Sequence, residues 1–243
     1  MKILRDTDPF RVLFIDVETV PVAPVYDDMP AELKPFWDRK AGQISRDEST
    51  PGEMFERAGI YSEFGKIITI SAGVLTRAGE GRGLRIKSFY GDNEKLLLEE
   101  FAGMVNSFSK GKEALLCAHN GKEFDFPFIA RRMLINGLPV PAILDNAGKK
   151  PWEINLLDTM ELWKFGDYKH YTSLALICTL LGIPTPKDDI DGSQVAGIYY
   201  NEGDIKRIAL YCEKDVIALT RLFLRLRGDD IVDDSAIESV TGL

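Results

Sequence analysis

The feature that most constrains this chain is RVLFIDVE (Arg11 to Glu18), where β-branched and aromatic residues run unbroken up to two acids and are closed by Pro21. Such a run is too apolar for an edge strand, so it specifies a central one, buried on both faces. Asp16 and Glu18 stand at its C-terminal end, and residues two apart on a strand share a face, about 7 Å apart. The pair is either a polar strand end that meets solvent or one side of a site, and α/β sheets place their sites at such ends.

Two more strands follow. KIITISAGVL (Lys66 to Leu75) resembles the first run, and beyond a glycine-rich turn LRIKSFY (Leu84 to Tyr90) alternates as a strand with one exposed face. The three predict an antiparallel meander. Residues 22–65, rich in proline and charge with short helical patches such as GEMFERAGIYSEF, are too long for a bare connection and predict a flap inserted over one edge.

From Asp92 the pattern turns to alternating helices and strands. NEKLLLEEFAGMVNSF is periodic as a helix, ALLCAH (Ala114 to His119) as a short strand, and FPFIARRMLIN (Phe126 to Asn136) as a helix capped by Asp125 and stopped by Gly137. EINLLDT (Glu153 to Thr159) predicts another strand, and TSLALICTLLG (Thr172 to Gly182) a short helix. Asp191 is expected to cap a helix through Tyr200, and Asp204 a long last helix ending near Gly228. The expectation is a single α/β domain over residues 1–228, a mixed five-stranded sheet flanked by helices in three layers, followed by a frayed acidic tail over 229–243.

Composition narrows the function classes. A hydrophobic share of 45% in 243 residues suffices for one sizeable core. The absence of a leader pattern or a run of about 18 apolar residues predicts a cytoplasmic protein with no membrane segment. Cys117, Cys178 and Cys212 are widely spaced among apolar neighbours, which predicts reduced core residues. A net charge of −8 argues against coating long duplexes by phosphate neutralisation. It leaves room for a protein that grips a few nucleotides through metal ions and a local basic patch.

Two further acids complete the candidate set. Asp125 lies in HNGKEFDFPF, beside the end of the predicted strand ALLCAH, where it caps a helix, joins the first-strand acids around a cation, or both. On the last helix, Ile205, Ile208, Ala209, Cys212, Val216, Leu219, Phe223 and Leu226 form a buried stripe, with Asp215 and Tyr211 at its margin one turn apart. Asp215 is either a rim charge paired with Arg207 or Arg221, or the fourth acid of a site. Carboxylate-rich sites suit Mg²⁺ or Mn²⁺, and two such ions serve phosphoryl transfer.

These residues resemble the DEDD superfamily of exonucleases, especially the proofreading exonuclease domain of family-B DNA polymerases and its stand-alone bacterial relatives. FIDVET (Phe14 to Thr19), HNGKEFDFPFIARR (His119 to Arg132) and YCEKD (Tyr211 to Asp215) match the three exonuclease motifs in order, within a resemblance spanning residues 10 to 227. The Tyr-x-x-x-Asp spacing places the chain in the tyrosine branch. The resemblance implies a ribonuclease-H-like fold and 3′-to-5′ release of nucleoside 5′-monophosphates from single-stranded ends, DNA favoured over RNA. It implies that Asp16 contacts both of two Mg²⁺ or Mn²⁺ ions, that Glu18 and Asp215 complete the first ion's shell, that Asp125 holds the second, and that Tyr211 orients the attacking water. The resemblance also implies substrate binding at Thr19, Asn120 and Phe124, although Asn120 reads equally as a turn asparagine and Phe124 as a core aromatic. Arg131, Arg132, Lys169 and His170 are phosphate contacts or plain surface charge. An RNA exonuclease and a catalytically silent nucleic-acid-binding module are the alternatives. No polymerase domain accompanies the motifs here, and the family pattern gives the flap no task.

Overall fold

The computed structural model describes residues 1–45, 49–78, 81–111, 113–167, 171–184 and 190–242. A short helix α1 (Lys2–Arg5) leads into β1 (Val12–Pro21); the flap then holds α2 (Lys34–Ile44) and a 3₁₀ turn (Phe55–Ile60). Next come β2 (Gly65–Ala78), β3 (Gly81–Tyr90), α3 (Glu94–Ser109), β4 (Leu115–Ala118), α4 (Asp125–Ile135) and β5 (Leu156–Asp158). The chain ends with α5 (Thr159–Lys164), α6 (Leu174–Leu180), α7 (Val195–Gly197), α8 (Ile205–Arg227) and β6 (Ile237–Ser239).

The strands form one mixed sheet in the order β5-β4-β1-β2-β3-β6. The meander β1-β2-β3 is antiparallel, as its patterning predicts, while β4 joins β1, β5 joins β4 and β6 joins β3 in parallel. The run that begins at Arg11 therefore becomes the interior strand that its apolar character requires. The described strands number six, not the expected five. The difference is the tail, which is docked rather than frayed. Arg82 pairs with Asp229 at 2.9 Å and Arg221 with Asp234 at 2.6 Å. Buried Glu213 of α8 accepts hydrogen bonds from Ser88 and Ser239 hydroxyls, both at 3.0 Å, and from the Thr241 hydroxyl.

Alternation along β1 divides the core. Leu13, Ile15 and Val17 face a layer built by α3 and α4, with Leu98, Phe101, Phe126 and Ile129. Val12 and Phe14 face α8, where Val216, Leu219 and Phe223 pack, the Phe14 and Phe223 rings meeting edge to face at 5.2 Å. The even face that carries Val12 and Phe14 continues into Asp16 and Glu18, so both acids are directed to the α8 side. Gly73 on β2, opposite Phe14, sets how closely α8 approaches, because a β-carbon there would lie 2.7 Å from Val216.

The starts of α3, α6 and α8 follow local chemistry, whereas α4 and α7 lack the side-chain caps expected of them. Asn93, Ser173 and Asp204 accept amide hydrogen bonds at the starts of α3, α6 and α8, and Gly228 closes α8 in the left-handed region at φ 89°. Asp191 instead accepts from the Ser193 amide at 2.8 Å in a local turn, and α7 starts later, at Val195, without a side-chain cap. The flap folds around its own core, with Trp37 in contact with Phe55 and Phe64. No described helix is long and apolar enough to cross a membrane.

Candidate active site

The C-terminal end of β1 carries an irregularity just past its acids. The register with β2 runs in step through Glu18 opposite Thr69, then slips so that Thr19 stands opposite Ile67. Such a bulge bends the strand and turns its side chains at a sheet's rim. Asp16 and Glu18 lie with the Cys212 thiol of α8 so that one donor atom from each falls within 4.8 Å of the others. The thiol is 3.2 Å from Asp16 Oδ2 and donates to it.

Asp125 reaches the same place from the opposite layer. It is the first residue of α4 and forms no side-chain cap; its carboxylate accepts from its own amide and from the amide of Val17 in β1. The loop that delivers it is tight. Asn120 adopts φ 63°, and Gly121 lies so close to Ala118 that a β-carbon would come within 2.3 Å of the alanine methyl. Asp158, at the end of β5, binds this loop through the amides of Asn120 (3.0 Å) and Lys122 (3.1 Å) while also capping α5 through Met160 at 2.9 Å. Asp215 comes from α8 and is hydrogen-bonded to the Tyr211 phenol.

The acids act on one another electrostatically. Burial, followed by the charges of Asp215, Glu18 and Asp125, pushes the Asp16 carboxyl well above the usual carboxylate range. Burial with Asp215 and Asp125 does the same to Glu18, which is only 8% exposed. Asp125 is pushed up to about 7, burial again leading, with Asp158 and Asp215 adding to it and the two amide bonds opposing it. Tyr211 is raised by burial and then by Asp215, Glu18 and Asp16, so its hydroxyl keeps its proton. Carboxylate oxygens gathered out of water in this way are hard, anionic donors, the set that Mg²⁺ and Mn²⁺ prefer.

The other expected residues separate. Phe124 packs at 5.4 Å on Phe128 and shares with Glu18 and Thr19 an open cavity of about 590 Å³. Asn120 places its side-chain oxygen in a buried position without a hydrogen-bond partner among the described residues. Thr19 borders the cavity, but its hydroxyl donates to Gly59 of the flap at 2.8 Å. Arg132 is no phosphate contact: it is 7% exposed and bound to Glu94 at 2.5 Å. Arg131 lines a different cavity, behind α4, which none of the four acids borders. Lys169 and His170 lie outside the described residues.

Three neighbours of the acids escaped the sequence reading. Asp158 had a signal, since LLDT is an apolar strand closed by an acid, as FIDVE is. Cys212 was assigned only to the buried stripe, although it is one turn from Asp215. Tyr171, which also borders the cavity beside Glu18, had no periodic signal.

The family-B DNA polymerase from the hyperthermophilic archaeon Pyrobaculum calidifontis superposes with a TM-score of 0.54 over 90% of this chain at 15% identity. That likeness shows the ribonuclease-H-like α/β fold, and the chain spans only 24% of the polymerase. No curated protein matches in sequence. A family profile described as "Predicted 3'-5' exonuclease related to the exonuclease domain of PolB" matches residues 60–233, which include Asp125, Tyr211 and Asp215 and exclude the first-strand acids. The matched span is well over half of the chain, which therefore belongs to this family of predicted 3′-5′ exonucleases related to the exonuclease domain of PolB.

Proposed function

We propose that the protein is a two-metal 3′-to-5′ exonuclease that removes nucleoside 5′-monophosphates from single-stranded ends, DNA in preference to RNA. The observation that carries this reading is the gathering of Asp16, Glu18 and Asp125, with Asp215 acting on each, in a site where burial first and then mutual repulsion raise their proton affinities. A fold maintains such a cluster at a cost in stability, and divalent cations relieve it.

Asp16, which feels all three other acids, would serve both of two Mg²⁺ or Mn²⁺ ions; Glu18 and Asp215 would complete one ion's shell and Asp125 the other's. Bound there, such ions supply the charge that activates water and stabilises the leaving oxygen. Tyr211, protonated and held by Asp215, orients the attacking water through its hydroxyl. Asn120 and Phe124 meet the substrate strand, the first with an uncommitted amide oxygen and the second with its ring, and Thr19 shapes the cleft edge. The three buried free thiols fit a reducing compartment, and we assign the protein to the cytoplasm.

The test is digestion of a 5′-labelled single-stranded DNA, with an RNA of the same sequence in parallel, in Mg²⁺ or Mn²⁺ against EDTA and against Asp16→Ala. A metal-dependent ladder shortening from the 3′ end, faster on DNA and lost in the variant, is expected. Folded protein that degrades neither strand would sink the proposal.

A further inference from the structure

The 3₁₀ turn of the flap is fastened to β1, the strand that carries Asp16 and Glu18. Thr19 donates its hydroxyl to the Gly59 carbonyl at 2.8 Å, and the Val22 amide donates to the Phe64 carbonyl at 2.9 Å. Phe55, Ala58 and Phe64 are buried with Trp37 in the flap's own core. This anchoring leaves Arg57 and Ile60 exposed at a fixed place, Ile60 at 50%. Both line the cavity of about 590 Å³ that also takes in Glu18, Thr19 and Phe124, a volume suited to a small ligand. Arg57 makes no ion pair among the described residues.

Tyr171 borders the same cavity, with 69% of its surface exposed. The chain just beyond it is pinned. His119 Nε2 donates to the Thr172 carbonyl at 2.8 Å, its Nδ1 lies 2.8 Å from the Thr159 hydroxyl, and Ser173 caps α6. Although exposed, the Tyr171 phenol is close enough to Asp125, Asp16 and Asp215 for their charges to raise it, after burial. An uncovered aromatic ring held beside a phosphodiester-cleaving site is a stacking platform for a base, and an unpaired guanidinium is a phosphate ligand.

We propose that Arg57, Ile60 and Tyr171 form the binding subsite for the last nucleotides of an unpaired strand, with Tyr171 stacking on a base, Ile60 supplying an apolar wall and Arg57 holding a phosphate. This rests on the exonuclease reading and gives the flap its task. A base stacked on Tyr171 is withdrawn from its own helix, so the subsite selects single-stranded ends over paired ones.

The test is fluorescence anisotropy of a labelled single-stranded DNA on the full chain in Ca²⁺, with Arg57→Ala, Tyr171→Ala, Tyr171→Phe and, as a charge-matched control on α3, Lys95→Ala. Thermal melts verify that each variant folds. Arg57→Ala and Tyr171→Ala should each weaken binding about tenfold or more, and Tyr171→Phe and Lys95→Ala should stay within twofold of the parent. Losing the phosphate contact should also flatten the slope of log K against log salt by about one in Arg57→Ala and leave it unchanged in Tyr171→Ala. Wild-type affinity in both alanine variants would overturn the subsite, as would equal loss in Tyr171→Phe and Tyr171→Ala. The digestion assay separates the two readings. If digestion depends on Asp16 while Arg57 and Tyr171 do not affect binding, the subsite alone falls; if the strand binds through these residues but is never cut, the exonuclease reading falls instead.

Discussion

Two groups around buried acids, one centred on Glu94 alone and one on Asp16, Glu18 and Asp125, are built in opposite ways. Glu94 accepts from the Ile67 amide at 2.7 Å, from Arg132 at 2.8 and 2.5 Å, and from Asn136 at 2.9 Å. Arg132 gives a further N–H to the Ser62 carbonyl at 3.0 Å. That group is balanced within the chain. Around Asp16, Glu18 and Asp125, by contrast, the acting charges are acidic, and the opposing contacts are a thiol and two amides. The first group joins α3, α4, β2 and the flap. On the proposed reading, the second draws its balancing charge from bound cations.

The largest expected effect separates the two groups by activity. Asp16→Ala should lower kcat/KM on single-stranded DNA by about 10⁴-fold, roughly 5.4 kcal/mol of transition-state stabilisation, while leaving the metal-free protein at least as stable as the parent, since one like charge is gone. A variant that loses stability as well as activity would mean that this acid, too, is structural. The reverse holds at the other group. Arg132→Met strands Glu94 without its charge partner and should cost about 3–5 kcal/mol in denaturant unfolding, with Glu94→Gln added to it recovering part of the loss. A cost under about 1 kcal/mol would erase the contrast, because exposed pairs are worth no more than that.

Why one group was legible in the sequence and the other was not follows from how each is encoded. Asp16, Glu18, Asp125, Tyr211 and Asp215 sit at ends and margins of strongly periodic elements, so their elements could be read, while their grouping was implied only by the resemblance of three ordered motifs. Arg132 was indistinguishable from Arg131 in FIARRMLIN, because its partner Glu94 is 38 positions away and only the packing of α3 against α4 brings them together. The same holds for the tail: IESV is too short for a periodic signal, and its docking depends on Glu213, a charge on the helix that its periodicity does not mark for burial. The flap's attachment through Thr19 and Gly59 is likewise a contact across 40 positions.

A cation effect of intermediate size sharpens the comparison. Ligand at a hundredfold excess over its Kd stabilises a fold by about 2.7 kcal/mol, a rise of roughly 5–11 °C in melting temperature for a chain of this size. The pH dependence has a definite sign. Asp16, Glu18 and Asp125 bind protons more tightly folded than unfolded, so the stability tied to them is complete below about pH 4 and is lost as pH rises through the value of about 7 reached by Asp125. Melts in EDTA should therefore fall between pH 5.5 and pH 8 on this account, and the gain from Mn²⁺ should be larger at pH 8, where protons no longer compete for the carboxylates. Equal gains at both values would show that the acids are not the cation's ligands.

The smallest effect tests the thiol that α8 offers to Asp16 as a donor. Cys212 is fully buried, with its sulfur 3.2 Å from Asp16 Oδ2 and 3.4 Å from the Asp16 carbonyl oxygen. If the thiol only filled space, Cys212→Ala would leave a small void and alter stability alone. If it holds Asp16 at the angle the cations require, the same change loosens a metal ligand, and groups that orient ligands typically carry about 10–100-fold in metal affinity or activity. A weak donor such as a thiol belongs at the low end of that range. The Mn²⁺ concentration giving half-maximal digestion should rise about tenfold in Cys212→Ala, with the rate at saturating Mn²⁺ within about threefold of the parent, and Cys212→Ser, which keeps a donor at that position, should titrate like the parent. An unshifted Mn²⁺ titration in the alanine variant would return Cys212 to the core and leave Asp16 positioned by its strand alone.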